Sequence, residues 1–229
     1  MISGQALLAQ TTGELIRWDW ITRNADDIWE RTVEHLALTG IAIGAGFLIS
    51  LALSVVALRV RRTYSPITRS AAIIYTIPSI ALFPALIPFT GIDILTASIG
   101  LTLYTLLMFV RNIVAGLEGV PDDIVDAARG MGYTRRRLFL EIELPLAIPV
   151  VIAGFRIATV TTIGLVTITG LFGMGGLGFF IFDGMIRNFF ITELLVGAVG
   201  ALVLALIFDG LFVALGAVLT PWARRAEAS

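Results

Sequence analysis

Long apolar runs alternate with short polar, arginine-bearing stretches along the whole chain, and five of the runs reach the length a bilayer demands, at about residues 36–58, 70–88, 94–113, 146–169 and 194–219. A helix needs about 20 mostly apolar residues to cross some 30 Å of hydrocarbon. Every face of these runs is apolar, so the helical period is muted and length and charged flanks carry the assignment. The pattern predicts an all-α polytopic membrane protein with about five transmembrane helices. It reads as a single domain over residues 1–229, divided into an N-terminal segment 1–35, a membrane core 36–219 and, within that core, a polar loop 114–145.

Before the first run, residues 14–35 mix charges with Trp18, Trp20, Ile21, Ile28 and Trp29, which predicts an amphipathic helix lying in the membrane interface. Met1 to Thr12 lack a cationic start and a long apolar core, so the first span rather than a cleaved signal peptide is expected to direct insertion. His35, the one histidine, falls at the edge of the first span and reads as an interfacial residue.

Composition agrees with the pattern: of 229 residues, 57% are hydrophobic and 14% charged, with a mean hydropathy of +0.93. Cysteine is absent, which removes disulfides, thiol nucleophiles and thiolate metal sites. A net charge of −1 without a block of like charge gives no footprint for nucleic acid. Lysine is absent too, and eleven of the sixteen arginines fall in three places: Arg59, Arg61, Arg62 and Arg69; Arg111, Arg129, Arg135, Arg136 and Arg137; Arg224 and Arg225. Five spans put all three on one side, and the positive-inside rule makes that side the cytoplasm, with the N-terminus outside.

Candidate chemistry lies in four places. Between the third and fourth runs, Pro121 suits a first helical position, Asp122 and Asp123 suit the positive end of a helix dipole, and Gly130 and Gly132 supply a stop, which predicts a helix of about ten residues. Ala127 and Ala128 would let its backbone sit deep in a groove of a partner protein, with Asp126, Arg129 and Arg135 at the rim. In the second run, prolines 78, 84 and 88 each remove a backbone donor and are expected to bend the helix, making Thr76, Pro78 and Ser79 candidate pathway residues. The glycine-rich run Gly170 to Gly178 predicts a re-entrant turn, a short helix or a simple loop over 170–190, with Gly173, Gly175 and Gly176 at a gate and Asp183 and Arg187 at the water. Arg156 and Asp209 lie at matching depth in the fourth and fifth runs and are expected to form an intramembrane ion pair. No catalytic constellation or metal cluster is apparent.

The spacing Asp126-Ala-Ala, three residues, Gly132, nine residues, Ile142-x-Leu-Pro resembles the "EAA" loop of the permease subunits of binding-protein-dependent ABC importers, with Asp126 standing where that family usually carries Glu. Thr76-Ile-Pro-Ser-Ile-Ala-Leu, Ala153-Gly-Phe-Arg-Ile-Ala and Gly170-Leu-Phe-Gly-Met-Gly-Gly-Leu-Gly narrow the resemblance to the osmoprotectant branch, which imports glycine betaine, carnitine, choline or proline betaine. The resemblance implies the type I importer permease fold in a prokaryotic plasma membrane, with the 126–145 loop carrying a coupling helix. It also implies a second permease subunit, identical or related, two ATP-binding cassette subunits that bind ATP and Mg, and a separate external substrate-binding protein whose aromatic cage holds the solute. The chain itself has no phosphate-binding loop of the Gly-x-x-x-x-Gly-Lys-Ser/Thr kind, since it has no lysine. A permease for methionine, another amino acid or a polyamine would share the loop, and an ion-gradient carrier or a membrane anchor are readings from other classes.

Overall fold

The computed structural model describes residues 16–222; Arg224, Arg225, Glu14 and the Met1 to Thr12 segment lie outside the described residues. The described chain folds as helices α1 (Trp18–Arg23), α2 (Ala25–Arg59), α3 (Tyr64–Thr76), α4 (Ser79–Thr90), α5 (Ile94–Glu118), α6 (Asp122–Gly130), α7 (Arg135–Leu138), α8 (Leu144–Thr169), α9 (Gly178–Ile186) and α10 (Ile191–Leu219). Helices α2, α5 and α10 and the run Arg135–Phe172 are each long and apolar enough to cross a membrane, and α3 with α4 makes up to a fifth span, bent by 98°. The five-run reading and the all-α class therefore stand.

Helix α5 is the hub, packed against α2, α8 and the α3–α4 pair, while α10 packs on α8 and α9. It starts sharply because Asp93 is an N-cap whose Oδ1 accepts the Ile94 amide at 2.6 Å. In lipid there is no hydrophobic gain from pairing two apolar helices, so close approach of small residues must supply the packing. At Gly46 of α2 an added Cβ would fall 1.8 Å from Thr105 Oγ1 on α5, and at Gly154 of α8 one would fall 2.7 Å from Asn112 Cβ. Phe109 fills the centre, with Phe155 at 4.9 Å and Phe47 at 5.6 Å between ring centroids.

The first span is longer than its apolar run. Helix α2 begins at Ala25 and holds 35 residues, about 52 Å at 1.5 Å per residue. The separate interfacial helix expected over 14–35 thus shrinks to the six residues of α1, because Ala25 to Glu34 continue the helical register of the span. Asn24 makes the joint, its amide nitrogen donating to Trp20 O at 2.8 Å. Trp20 then packs edge-on against Phe180 and Phe190, at 6.1 and 5.6 Å, and holds α1 to the bundle.

Of the three prolines in the second run, only Pro78 breaks the helix. Ile77 is extended, with φ −66° and ψ 125°, as a residue before proline prefers to be. Pro84 and Pro88 lie inside α4, one turn apart on its exposed side, where the carbonyls they leave open do not face packed neighbours. At the break, Tyr104 of α5 donates its hydroxyl to Ile77 O at 2.5 Å, and Tyr75 stacks edge-on against the same ring at 6.0 Å. Tyr104→Phe keeps the ring and removes this cap. We expect a loss of about 1 kcal/mol, seen as a lower thermal midpoint for the protein purified in detergent; an unchanged midpoint would show that the hydroxyl does not hold the break.

Candidate functional site

The polar connection between α5 and α8 folds on itself. Pro121 precedes α6, Asp122 and Asp123 occupy its first turn, and the helix runs nine residues, close to the ten expected. Its end is a Schellman motif: the Tyr133 amide donates to Ala128 O at 3.1 Å and the Gly132 amide to Arg129 O at 2.9 Å. That geometry puts Gly132 at φ +82°, where a side chain is strained although the space around it is open. Val120, Val125, Ala128 and Leu138 form a small core, flanked by Tyr133, Ile142 and Leu146.

Ala128 corrects one expectation. It is 1% exposed and belongs to the loop's own core, so it does not offer backbone to a partner. Helical geometry explains the difference, since Val125 and Ala128 sit three residues apart on the face turned to Leu138. Ala127, on the other face, is exposed, together with Ile124 and the 69% exposed Met131. Around this apolar strip stand Asp126 and Arg129, paired at 3.2 Å, and the exposed Arg135. Thr134 caps α7 through the Arg137 amide at 3.4 Å, and a π turn over Phe139–Glu143 carries the helix into α8.

The glycine-rich run is a 3-10 turn at Gly170–Phe172 followed by α9, so the short-helix alternative describes it. Gly173, Gly175 and Gly176 have φ of +73°, +95° and +87°. Gly173 is exposed, and Gly175 and Gly176 are buried. Two side chains from α2 press against them. Glu34 Oε2 accepts the Gly176 amide at 2.9 Å and also pairs with Arg31 at 2.9 Å. His35 Nδ1 accepts the Leu177 amide at 3.3 Å, and its Nε2 donates to Ile163 O of α8 at 3.1 Å.

His35 is therefore 0% exposed, not interfacial. Its two bonds require the neutral ring protonated on Nε2, because Nδ1 faces a donor and Nε2 an acceptor. Nothing near it in the sequence signals this role, since both partners lie more than a hundred residues away. Asp183 pairs with the exposed Arg187 at 2.8 Å and is itself mostly buried. Thr76 is exposed and its hydroxyl returns to Ile73 O at 2.7 Å, while Ser79 is partly buried just past the break. The structure brings Arg156 and Asp209 together in a two-pronged ion pair, with Nη2 to Oδ2 at 2.8 Å and Nε to Oδ1 as the second bond.

The described residues thus form a helical membrane bundle with one span broken at a proline, a clamped glycine turn and a self-packed polar loop. The fold matches that of a solved inward-facing MetNI methionine ABC transporter, with a TM-score of 0.76 and 22% identity over 90% of this chain and 100% of that one. The chain belongs to the family of binding-protein-dependent transport system inner membrane components, whose profile matches residues 36–223. Its relatives include the osmoprotectant import permease protein OsmW of Salmonella typhimurium, 36% identical over 86% of this chain and 94% of that protein. Another is the glycine betaine/carnitine/choline transport system permease protein OpuCB of Bacillus subtilis, 32% identical over 83% and 87%.

Two substitutions test the local geometry. Gly132→Ala is expected to cost about 1 kcal/mol, from the left-handed backbone alone, and to speed proteolysis between residues 128 and 136, whereas Gly132→Asn, which tolerates that backbone, is expected to stay near wild type. Equal sensitivity of the two variants would place the constraint elsewhere. His35→Phe keeps the bulk but orphans the Leu177 amide and removes the extra bond to the Ile163 carbonyl; a loss of about 1–3 kcal/mol is expected on unfolding, and a wild-type value would dismiss the clamp.

Proposed function

We propose that this chain is the membrane-spanning subunit of an ATP-driven importer that moves quaternary-ammonium osmoprotectants, glycine betaine and its kin, into the cell. The observation that carries the reading is the α6 loop. A nine-residue helix with a fixed end, packed on a small core shared with the foot of α8, presents one exposed apolar strip inside a charged rim. That is the form of a rigid docking knob, and a free linker would not need a core. In this reading α6 enters a cleft of an ATP-binding cassette subunit, the arginine-rich loops face the cytoplasm, and the N-terminus lies outside.

Two such cassette subunits bind ATP and Mg, a second permease chain completes the passage, and an external binding protein delivers the solute. The cargo follows from relatives that are 32–36% identical over more than four-fifths of the chain and whose names specify osmoprotectants, or glycine betaine, carnitine and choline. Asp126, Ala127, Arg129, Gly132 and Arg135 serve the docking, Gly132 and the buried Ala128 by holding the knob in shape. Thr76, Pro78 and Ser79, at the exposed break, border the passage, because non-helical backbone at membrane depth is tolerated only against protein or a water-filled cavity.

The test pairs a docking variant with uptake. Co-expressed with its neighbouring genes, the wild-type chain is expected to co-purify with an ATPase and to support uptake of labelled glycine betaine that excess choline or carnitine reduces. Ala127→Trp, which alters only the exposed strip, should lose both while the permease stays folded in the membrane. A wild-type chain that brings down no ATPase would overturn the importer reading; an ATPase without betaine, carnitine or choline uptake would overturn the cargo.

A further inference from the structure

Resting on that reading, we infer that the Arg156–Asp209 pair is a contact for the solute in transit and reads its carboxylate, so the passage favours zwitterionic quaternary ammonium compounds over purely cationic ones. Depth is the first argument. Arg156 lies twelve residues after the start of α8 and Asp209 ten before the end of α10, at the same end of the bundle. At 1.5 Å per residue these are about 18 and 15 Å, near the middle of some 30 Å of hydrocarbon.

Exposure is the second. The two side chains retain 47% and 33% of their accessible surface although they bond each other. Charges at such depth do not face lipid freely but turn to protein or water. Arg156 lines a groove of about 490 Å³ between α8 and α10, whose other walls include Ala153, Phe212 and Gly216, and Asp209 bonds it from α10 at the edge of that groove. Small residues on the walls leave room for a solute, and beyond the groove the same face of α8 continues to Gly164, where an added Cβ would meet nothing within 4 Å.

Donor geometry is the third. Asp209 occupies Nε and Nη2 of Arg156 on one edge of the guanidinium. An arginine has five N–H donors, so three remain, directed away from Asp209. A solute carboxylate can take that free edge without breaking the pair, and arginine is the side chain suited to such planar contacts. Asp209 keeps the site neutral overall, which matches a zwitterion and avoids trapping an anion on a bare cation. The trimethylammonium group then lies toward Asp209 and the face of Phe212, which favours a soft cation. Choline, with a hydroxyl for the carboxylate, can accept one neutral hydrogen bond there and gains less from the free edge than a carboxylate does.

The experiment measures uptake of labelled glycine betaine and of choline through the complete complex, with wild-type permease and with Arg156→Lys, which keeps the charge but removes the fork. Immunoblots report permease level and blue-native gels its assembly. The expected result is a fall of at least five-fold in the betaine-to-choline uptake ratio at unchanged level and assembly. If the wild type carries betaine alone, the same fall in betaine uptake is expected, with ATPase stimulation by loaded binding protein retained. An unchanged ratio overturns the inference and leaves the proposed function intact, as does a wild type that carries choline alone. Equal loss of both solutes with a dissociated permease assigns the groove to a second chain, and equal loss with assembly intact assigns it to packing or to a lipid headgroup; both overturn the inference. A wild type that carries neither solute overturns the proposed function and this inference with it.

Discussion

Hydrocarbon offers no partner to an open backbone amide or carbonyl, and this constraint bears on the places where the bundle departs from regular helix. At two of these among the described residues, a side chain from a distant helix takes a backbone group the break leaves open. At Pro78 the closing group is the Tyr104 hydroxyl on the Ile77 carbonyl. At the glycine turn it is Glu34 and His35, which take the amides of Gly176 and Leu177. The imidazole does more than cap, because its second nitrogen bonds Ile163 of α8. One buried ring thus ties α2, α8 and the turn before α9 into a single corner, and α5 holds the other break.

This division of labour explains which features could be read along the chain. Spans are set by run length, a local property, and the five apolar runs became four long helices and one bent pair. The ion pair was legible for a related reason: in a straight helix, sequence distance converts to depth, so two charges equidistant from one surface are natural partners. The identity of the breaking proline was not legible. Pro78, Pro84 and Pro88 look alike locally, and the outcome depends on which freed carbonyl meets a donor from another helix, information carried by Tyr104. Likewise the five glycines announce an irregular segment, but the burial of Gly175 and Gly176 depends on Glu34 and His35, 142 residues earlier in the hydrogen bonds they make. The pair Ala127 and Ala128 shows the same limit at short range. One faces out and the other in because Leu138, in the next element, decides which side of α6 is covered.

The α6 loop also has a mechanical aspect. Its core includes Leu138 of α7, Ile142 of the π turn and Leu146 of α8. From Arg135 to Phe172 the chain forms one continuous helical run. A knob that shares its core with the base of a spanning helix cannot swing independently of it, since displacing α6 while α8 stays fixed would open that core. In the proposed importer, closure of an ATPase cleft around α6 is therefore delivered to α8.

What α8 carries then matters for the passage. Its buried face holds Gly154 against Asn112 of α5 and Ile163 against His35, contacts with little freedom to slide. Its other face meets α10 beside the groove lined by Arg156, which pairs there with Asp209. The contact to α5 at Gly154 is a close, backbone-level approach, whereas on the α10 side the long, rotatable side chain of Arg156 reaches Asp209 beside the stacked rings of Phe155 and Phe212. Packed interfaces tend to switch between discrete arrangements instead of deforming smoothly. A push on α8 from the loop therefore also reaches the α8–α10 seam, where the Arg156–Asp209 ion pair and the Phe155–Phe212 stack at 6.0 Å join the two helices.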